Sequence, residues 1–308
     1  MESKQMTALA LAGGGILGYA QSIILTEYEK RLGQLSYQKF DIIGGTSVGS
    51  IVGAPLSIGI PASKVQSFFT SSGPLIFKHK NVIIQDIEEV IGPKYGSEQI
   101  EAALIEMLGD ATLKDCKTKF IAVSYDYATD SPIYFKSYEK SSKDDCSITI
   151  GYDSDIKLWQ VCRASAAAQS YFPGYKYGDL YCLDGGNTSD NAPDCLLVAE
   201  STSFTTIDKL KMLSLGTGTS KWEVNATEML NPGIIRAGLT TVKVIFSAGV
   251  DAQVYKAKRM LGNNHYYISP NYAESKIEID DISRLDIICE AANKSIIQCT
   301  ATIDEFCH

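Results

Sequence analysis

Twice within its first fifty residues the chain runs from a β-like apolar stretch through clustered glycines into an apolar helical pattern. The segments are TALALAGGGILG over 7–18 and FDIIGGTSVG over 40–49. Glycines at such junctions allow sharp turns and close backbone approach that a Cβ would block. The chain is thereby directed toward strand–turn–helix units, the repeating element of an α/β sheet. Thr7 to Ala12 reads as a buried strand, followed by a helical pattern through Gln21, Ile24, Leu25, Tyr28 and Leu32. Phe40 to Gly44 reads as a second strand, with a helix running on toward Pro55 or Gly59.

Two windows imitate membrane segments, because Gln5–Thr26 and Ile42–Ser63 carry no charge and could span the ~30 Å of a bilayer core. The first contains Gly13, Gly14, Gly15 and Gly18, and the second five glycines with Pro55 and Pro61. Each costs a helix ~1 kcal/mol or more, so buried strand–turn–helix units are expected in both. The first window also has the outline of a secretory signal, with Lys4, an apolar run and small residues at Gly18 and Ala20. Glu2 weakens its positive start, and cleavage after Ala20 would remove the first glycine turn.

Further along, helices are expected at Ala62–Thr70, Ile84–Ile91, Ser97–Leu108, Ile156–Ala168 and Cys195–Ser201, and strands at Phe120–Tyr125, Ile133–Lys136 and Met212–Leu215. A Tyr/Gly-rich hairpin region covers Tyr171–Tyr181. Long helices run from about Gly233 to Leu261 and from Ser283 onward, with a short strand at Tyr266–Ser269 between them. No repeat or linker-like composition interrupts the chain. One α/β domain over residues 1–308 is expected, with 219–308 its mainly helical C-terminal part.

Lys and Arg number 28 against 36 Asp and Glu, a net charge of −8, the wrong sign for following a nucleic-acid polymer. The eight cysteines show no CxxC spacing and only three histidines accompany them, so no structural metal is expected and the thiols read as reduced and cytoplasmic.

The GTSVG segment fits GxSxG, in which a serine, here Ser47, sits on a strained turn between Gly45 and Gly49. The AGGGILG segment reads either as a phosphate cradle or as backbone N–H groups aimed at an oxyanion. A plain packing turn is the third reading. A dinucleotide fold would want an acid ending the second strand, whereas Asp41 begins it, and no GK[ST] follows the glycines. A nucleophilic serine needs a base. His79 lies in a polar KHK run, His308 is terminal, and His265 follows an NN turn. Asp184, in LDGGN, is the other candidate, because Gly185 and Gly186 let the backbone come close to another segment; as an isolated motif it is equally a hairpin turn.

Taken in order, AGGGILG, GTSVG, CRASAAAQSYFPG, DGGNTSDNAP and SLGTG resemble the signature of the patatin-like phospholipases, from Leu9 to Gly218. The resemblance implies a three-layer α/β sandwich with a mostly parallel central sheet flanked by helices. It also implies a Ser-Asp dyad that hydrolyses acyl esters of membrane phospholipids without metal or cofactor. Ser47 would be the nucleophile and Asp184 the base, with Gly13, Gly14 and Gly15 as the oxyanion loop and Gly18 closing it. Arg163, Ala164 and Ser165 match the segment before the acid, and Asn191 and Pro193 the Asn-x-Pro after it. Ala12 and Leu17 depart from the polar and basic residues usual at their places, which removes a cation from beside the loop.

The partner implied is phospholipid at the bilayer surface, met by a cytoplasmic protein in peripheral contact or by a secreted effector. Some members are bacterial effectors switched on by a cyclic nucleotide, so a small-molecule or protein activator belongs to the expectation. Ser72–Phe77 (SGPLIF) and Tyr171–Tyr181 are the candidate apolar surfaces at the mouth. Two alternatives accompany this reading: a Ser-His-Asp carboxylesterase using His265, and a catalytically silent binding protein of the same fold.

Overall fold

The structure, a computed structural model, describes residues 4–78, 92–139, 147–218, 234–272 and 275–307. It opens with β1 (Met6–Leu11), α1 (Gly18–Leu32), α2 (Ser36–Lys39), β2 (Ile42–Thr46) and α3 (Val48–Ile58). There follow α4 (Ala62–Ser71), α5 (Gly73–Ile76), α6 (Glu98–Leu108), β3 (Lys119–Asp126), β4 (Ser131–Lys136) and β5 (Ile148–Ile150). Next come α7 (Leu158–Ser165), β6 (Tyr175–Tyr177), β7 (Leu180–Asp184), α8 (Asp194–Ser201) and β8 (Leu210–Leu215). The chain closes with α9 (Ile234–Leu261), β9 (His265–Ile268), α10 (Leu285–Gln298) and α11 (Thr300–Cys307). The helix expected at Ile84–Ile91, like His79 and His308, lies outside the described residues.

The main sheet path is β5-β4-β3-β2-β1-β8-β9. Its centre is parallel, β1 pairing β2 and β8 while β2 pairs β3 and β8 pairs β9. Strand alternation distributes side chains to two cores. Leu9 and Leu11 of β1 join the larger one, with α1, α3, α4, α6, α7 and α10, whereas Ala8 and Ala10 join Ile42, Ile121 and Met212 in the smaller one. Leu197 and Val198 of α8 cover that second face. The result is helix–sheet–helix layering around a buried sheet, as the uncharged strands foretold. The C-terminal part is bound into the larger core through Phe306 of α11, which packs on Tyr28 and Phe40. Neither uncharged window is a membrane helix: each folds as strand, turn and helix, and among the described residues no helix is long and apolar enough to cross a bilayer.

One feature of the register places the site. The edge of β3 that β2 occupies is used only to Val123, opposite Thr46, and the next residue along, Ser124, lies opposite Asp184 of the antiparallel β7. β4 holds the other edge. The C-terminal ends of β2 and β7 therefore meet head-on along one edge of β3. A strand advances ~3.3 Å per residue, so adjacent register positions bring the residues just past Thr46 beside Asp184. Gly185 makes the junction possible, since a Cβ there would lie 2.3 Å from the Val123 carbonyl oxygen.

Candidate active site

Ser47 leaves β2 with φ 53° and ψ −124° and begins α3 as its N-cap. That backbone conformation costs a non-glycine residue of order 1–3 kcal/mol and persists only where its surroundings enforce it. Here they do. A Cβ on Gly45 would lie 2.2 Å from the Gly49 carbonyl oxygen, and one on Gly49 would lie 2.1 Å from that of Leu11. The turn is thus wedged against β1 with no room for larger residues. Ser165, just C-terminal to Arg163 and Ala164 on α7, fixes it from the other side: its Oγ accepts from the Ser47 N–H at 2.9 Å and donates to the Val123 carbonyl at 2.6 Å.

Asp184 ends β7, where its N–H donates to the Ala167 carbonyl at 3.0 Å. Ser47 Oγ donates to Asp184 Oδ2 at 2.7 Å, across 137 residues of sequence. Gly186 N–H donates to Oδ1 at 2.8 Å. Asp184 is fully buried, and desolvation pushes its carboxyl up to about 7 against the lowering effect of those two hydrogen bonds. No cation among the described residues opposes this. The group is a carboxyl poised to exchange a proton near neutral pH with the one hydroxyl it touches.

The glycine loop lies directly over the turn, a Cβ on Gly13 falling 3.1 Å from Ser47 Cβ. The Gly13 N–H donates to the Asn191 carbonyl at 2.8 Å, and the Gly13 carbonyl accepts from Thr217 Oγ1 at 2.9 Å. Across a trans peptide the carbonyl and the next N–H point opposite ways within one plane, so a Gly13 carbonyl held toward Thr217 Oγ1 directs the Gly14 N–H away from that hydroxyl. Ile16 N–H is held by the Ile279 carbonyl at 2.7 Å. Gly14 and Gly15, both at positive φ, are left with N–H groups that take no hydrogen bond among the described residues. Gly14 abuts Thr217 and Gly15 abuts the Ile279 carbonyl so closely that a Cβ on either would clash. Gly18 does a different job, packing Val48 against the start of α1.

Three residues singled out in the sequence have partners of their own in the structure. Gly13 was grouped with the oxyanion donors, but its N–H is spent on Asn191. Arg163 does not reach the dyad: its guanidinium is buried against Glu101 at 3.2 Å, the Pro173 carbonyl at 2.8 Å and the Tyr175 ring, bracing α7 to α6. His265 lies outside the dyad's hydrogen bonds. Its Nε2 is 2.9 Å from both Asp194 Oδ1 and Ser214 Oγ, and Ser214 Oγ donates to the same Asp194 oxygen at 2.5 Å. This buried cluster ties β9 and β8 to the start of α8, just after the Asn191–Pro193 segment that holds Gly13. Replacing His265 with alanine is expected to leave turnover within about threefold while lowering stability by ~1–3 kcal/mol. An ester-hydrolysis assay beside a denaturant melt checks both; a loss of turnover comparable to that of a Ser47 variant would restore the histidine triad.

Of the two candidate mouth surfaces, Ser72–Phe77 is split. Ile76 is buried and Phe77 packs on Tyr95 and Phe172, while Leu75 is 56% exposed and Gly73 sits against Ile16 beside the glycine loop. The Tyr171–Tyr181 region folds into the β6–β7 hairpin, with Phe172 in the core and Tyr181 half exposed. Among the described residues no group of three or more His, Cys, Asp or Glu side chains is placed to hold a metal ion, and Cys116, Cys162, Cys182, Cys195, Cys289 and Cys299 are free thiols.

Comparison with known proteins gives the same site a family context. The family profile described as Patatin-like phospholipase matches residues 9–193, more than half of the chain. Patatin group M-2 of Solanum tuberosum is 29% identical over 245 residues, 70% of this chain and 61% of its own length. The chain thus spans about three fifths of that relative. A cGAMP-activated phospholipase of Pseudomonas aeruginosa is 27% identical over 293 residues, covering 94% of this chain and 84% of the relative. Among solved structures, VipD from Legionella pneumophila matches with a TM-score of 0.42 and 10% identity, over 97% of this chain and 67% of that one.

Proposed function

The chain belongs to the patatin-like phospholipase family, and from that premise we propose that it is a lipid acyl hydrolase cleaving fatty-acyl esters of membrane phospholipids, with Ser47 as nucleophile and Asp184 as base. The observation that carries this reading is the 2.7 Å hydrogen bond from Ser47 Oγ to a buried carboxyl, at a strained turn that presents the hydroxyl.

Asp184 takes the hydroxyl proton as Ser47 Oγ bonds to the ester carbonyl carbon, and the carbonyl π pair moves onto its oxygen. The Gly14 and Gly15 N–H groups and the N-terminus of α3 receive that oxyanion, a single such donor being worth ~2.7–4 kcal/mol. Collapse expels the lysolipid alkoxide, which takes the proton from Asp184. Water then gives a proton to Asp184 and attacks the acyl carbonyl. Ser47 leaves with that proton, so the products are a fatty acid and a lysophospholipid and the dyad is restored. Burial suits Asp184 to this role by raising its proton affinity toward that of an ordinary histidine, the usual base.

Substrate access is read from α5, which exposes Leu75 and whose Gly73 lies against Ile16 beside the glycine loop. It supports peripheral contact of a cytoplasmic protein with the bilayer surface. The relative that aligns over nearly the whole chain is named for activation by cGAMP, and the proposal accordingly includes a small-molecule activator. The test is product identification by mass spectrometry after incubating the protein with mixed phospholipid vesicles, with and without cGAMP. Equimolar fatty acid and lysophospholipid are expected. Absence of both under either condition, with soluble esters still cleaved, would replace the lipid hydrolase by an esterase.

A further inference from the structure

The helices α8 and α9 leave a groove of 590 Å³ between them, lined by Val198, Ala199, Ile207, Met260, Lys256 and Arg259 among others. That volume falls within the ~300–1,000 Å³ of small-molecule sites. Its surface is almost wholly carbon. Ile207 and Met260 are each more than two fifths exposed, and Tyr255 beside them is 67% exposed. Lys256 and Arg259 carry no ion pair among the described residues, in a protein whose net charge is −8. Two cationic side chains that help line a dry apolar channel match one class of molecule, a hydrocarbon tail ending in an anion. A peptide backbone or a nucleotide would bury polar groups there without partners.

We propose that this groove binds a long-chain fatty-acid anion, its tail along Val198, Ala199 and Met260 and its carboxylate between Lys256 and Arg259. The choice of fatty acid rests on the hydrolase reading, of which it is the product; the groove's shape and charge do not.

The groove is joined to the loop that carries the base. Gln253, one turn before Lys256 on α9, donates through Nε2 to the Ser189 carbonyl at 2.8 Å and to Asp190 Oδ1 at 3.3 Å. The Asp190 carbonyl accepts from Thr46 Oγ1 at 2.5 Å, one residue before Ser47. Burial raises the Asp190 carboxyl above its ordinary value, and the Lys256 charge opposes that rise. An anion settling on Lys256 is therefore felt by a residue hydrogen-bonded to the nucleophile's own strand.

The experiment is calorimetric titration of the full chain with oleate below its micellar concentration, beside oleyl alcohol, which has the tail alone, and acetate, which has the charge alone. Saturable binding of one oleate is expected, with neither control binding comparably. Affinity should fall roughly tenfold or more in Lys256→Gln/Arg259→Gln, and binding should vanish in Ala199→Trp, which fills the groove from an exposed position without opening the core. Repeating the titration after covalent blockade of Ser47 by a long-chain phosphonofluoridate separates the two sites. Oleate affinity that is unchanged in both variants, or lost on blockade, overturns the proposal and leaves the dyad reading standing. Variants that alter the oligomeric state while oleate fails to bind would assign the groove to a second copy and likewise overturn it. Groove-dependent binding in a chain that releases no fatty acid from vesicles would do the reverse, upholding the groove while the hydrolase reading falls.

Discussion

Replacing Ser47 with alanine is expected to reduce fatty-acid release from vesicles by roughly 10⁴-fold or more, with vesicle binding unchanged. The neighbouring hydroxyl of Ser165 cannot take its place, being committed at both ends, to the Ser47 N–H and to the Val123 carbonyl. The residual rate is what the Gly14 and Gly15 N–H groups give to direct attack by water. The fold should survive, because the wedge that holds this turn is made by Gly45, Gly49 and Ser165 rather than by the Ser47 side chain. Turnover is measured on vesicles and folding by thermal melt. Activity within tenfold of wild type in a folded variant would remove Ser47 as nucleophile.

The second large effect is expected at Asp184, and it has two opposite signs. Asp184→Asn keeps the shape but cannot take a proton, so turnover falls by roughly 10³–10⁴-fold, as for other orienting or basic carboxylates in serine hydrolases. In the wild type, turnover should rise with pH and level off above about 7, where the folded carboxyl loses its proton. Stability moves the other way. Well below 3.8 the carboxyl is protonated whether the chain is folded or not, and it costs nothing. Between its ordinary value of 3.8 and about 7 the folded state binds a proton that the unfolded state has released. Stability therefore falls as pH rises through that window, by at most ~1.4 kcal/mol per pH unit, and then stays low. The asparagine variant lacks this penalty. Its melting temperature should exceed that of wild type at pH 8 and return to parity near pH 4. A variant less stable than wild type at pH 8 would refute the account of a desolvated carboxyl at Asp184.

The meeting of Ser47 with Asp184 was legible in the sequence because glycine is diagnostic where backbone meets backbone. Gly45 and Gly49 mark the serine turn, and Gly185 marks the place where β7 comes against Val123 and Thr46. The uncharged strands likewise announced a sheet covered on both faces. What escaped was everything carried by carbonyls and by long-range partners. Nothing in AGGGILG distinguishes Gly13, whose N–H is spent, from Gly14 and Gly15, whose N–H groups are not; the distinction is made by Asn191, Thr217 and Ile279. Arg163, Ala164 and Ser165 stand together as a motif segment, yet a helix turns successive residues outward in different directions, and it is Ser165 that hydrogen-bonds Ser47. The cluster of Asp194, Ser214 and His265 has no local signature, since its members come from three elements that meet only in the folded sheet. The helix expected to run to Ala168 stops at Ser165, because Ala167 gives its carbonyl to Asp184 N–H.

The head-on meeting of β2 and β7 also sets when, during synthesis, Ser47 and Asp184 can first meet. A ribosome delivers Ser47 long before Asp184, 137 residues later, and delivers Thr217 and Ile279, which hold the glycine loop, later still. A growing chain therefore exposes its serine with neither base nor oriented amides beside it. On the dyad reading, hydrolytic competence arrives only after β7 has docked on β3 and the final quarter has closed over the loop. On the same reading, a chain abandoned before Asp184 is made carries the serine without its base, and needs no inhibitor to be inert.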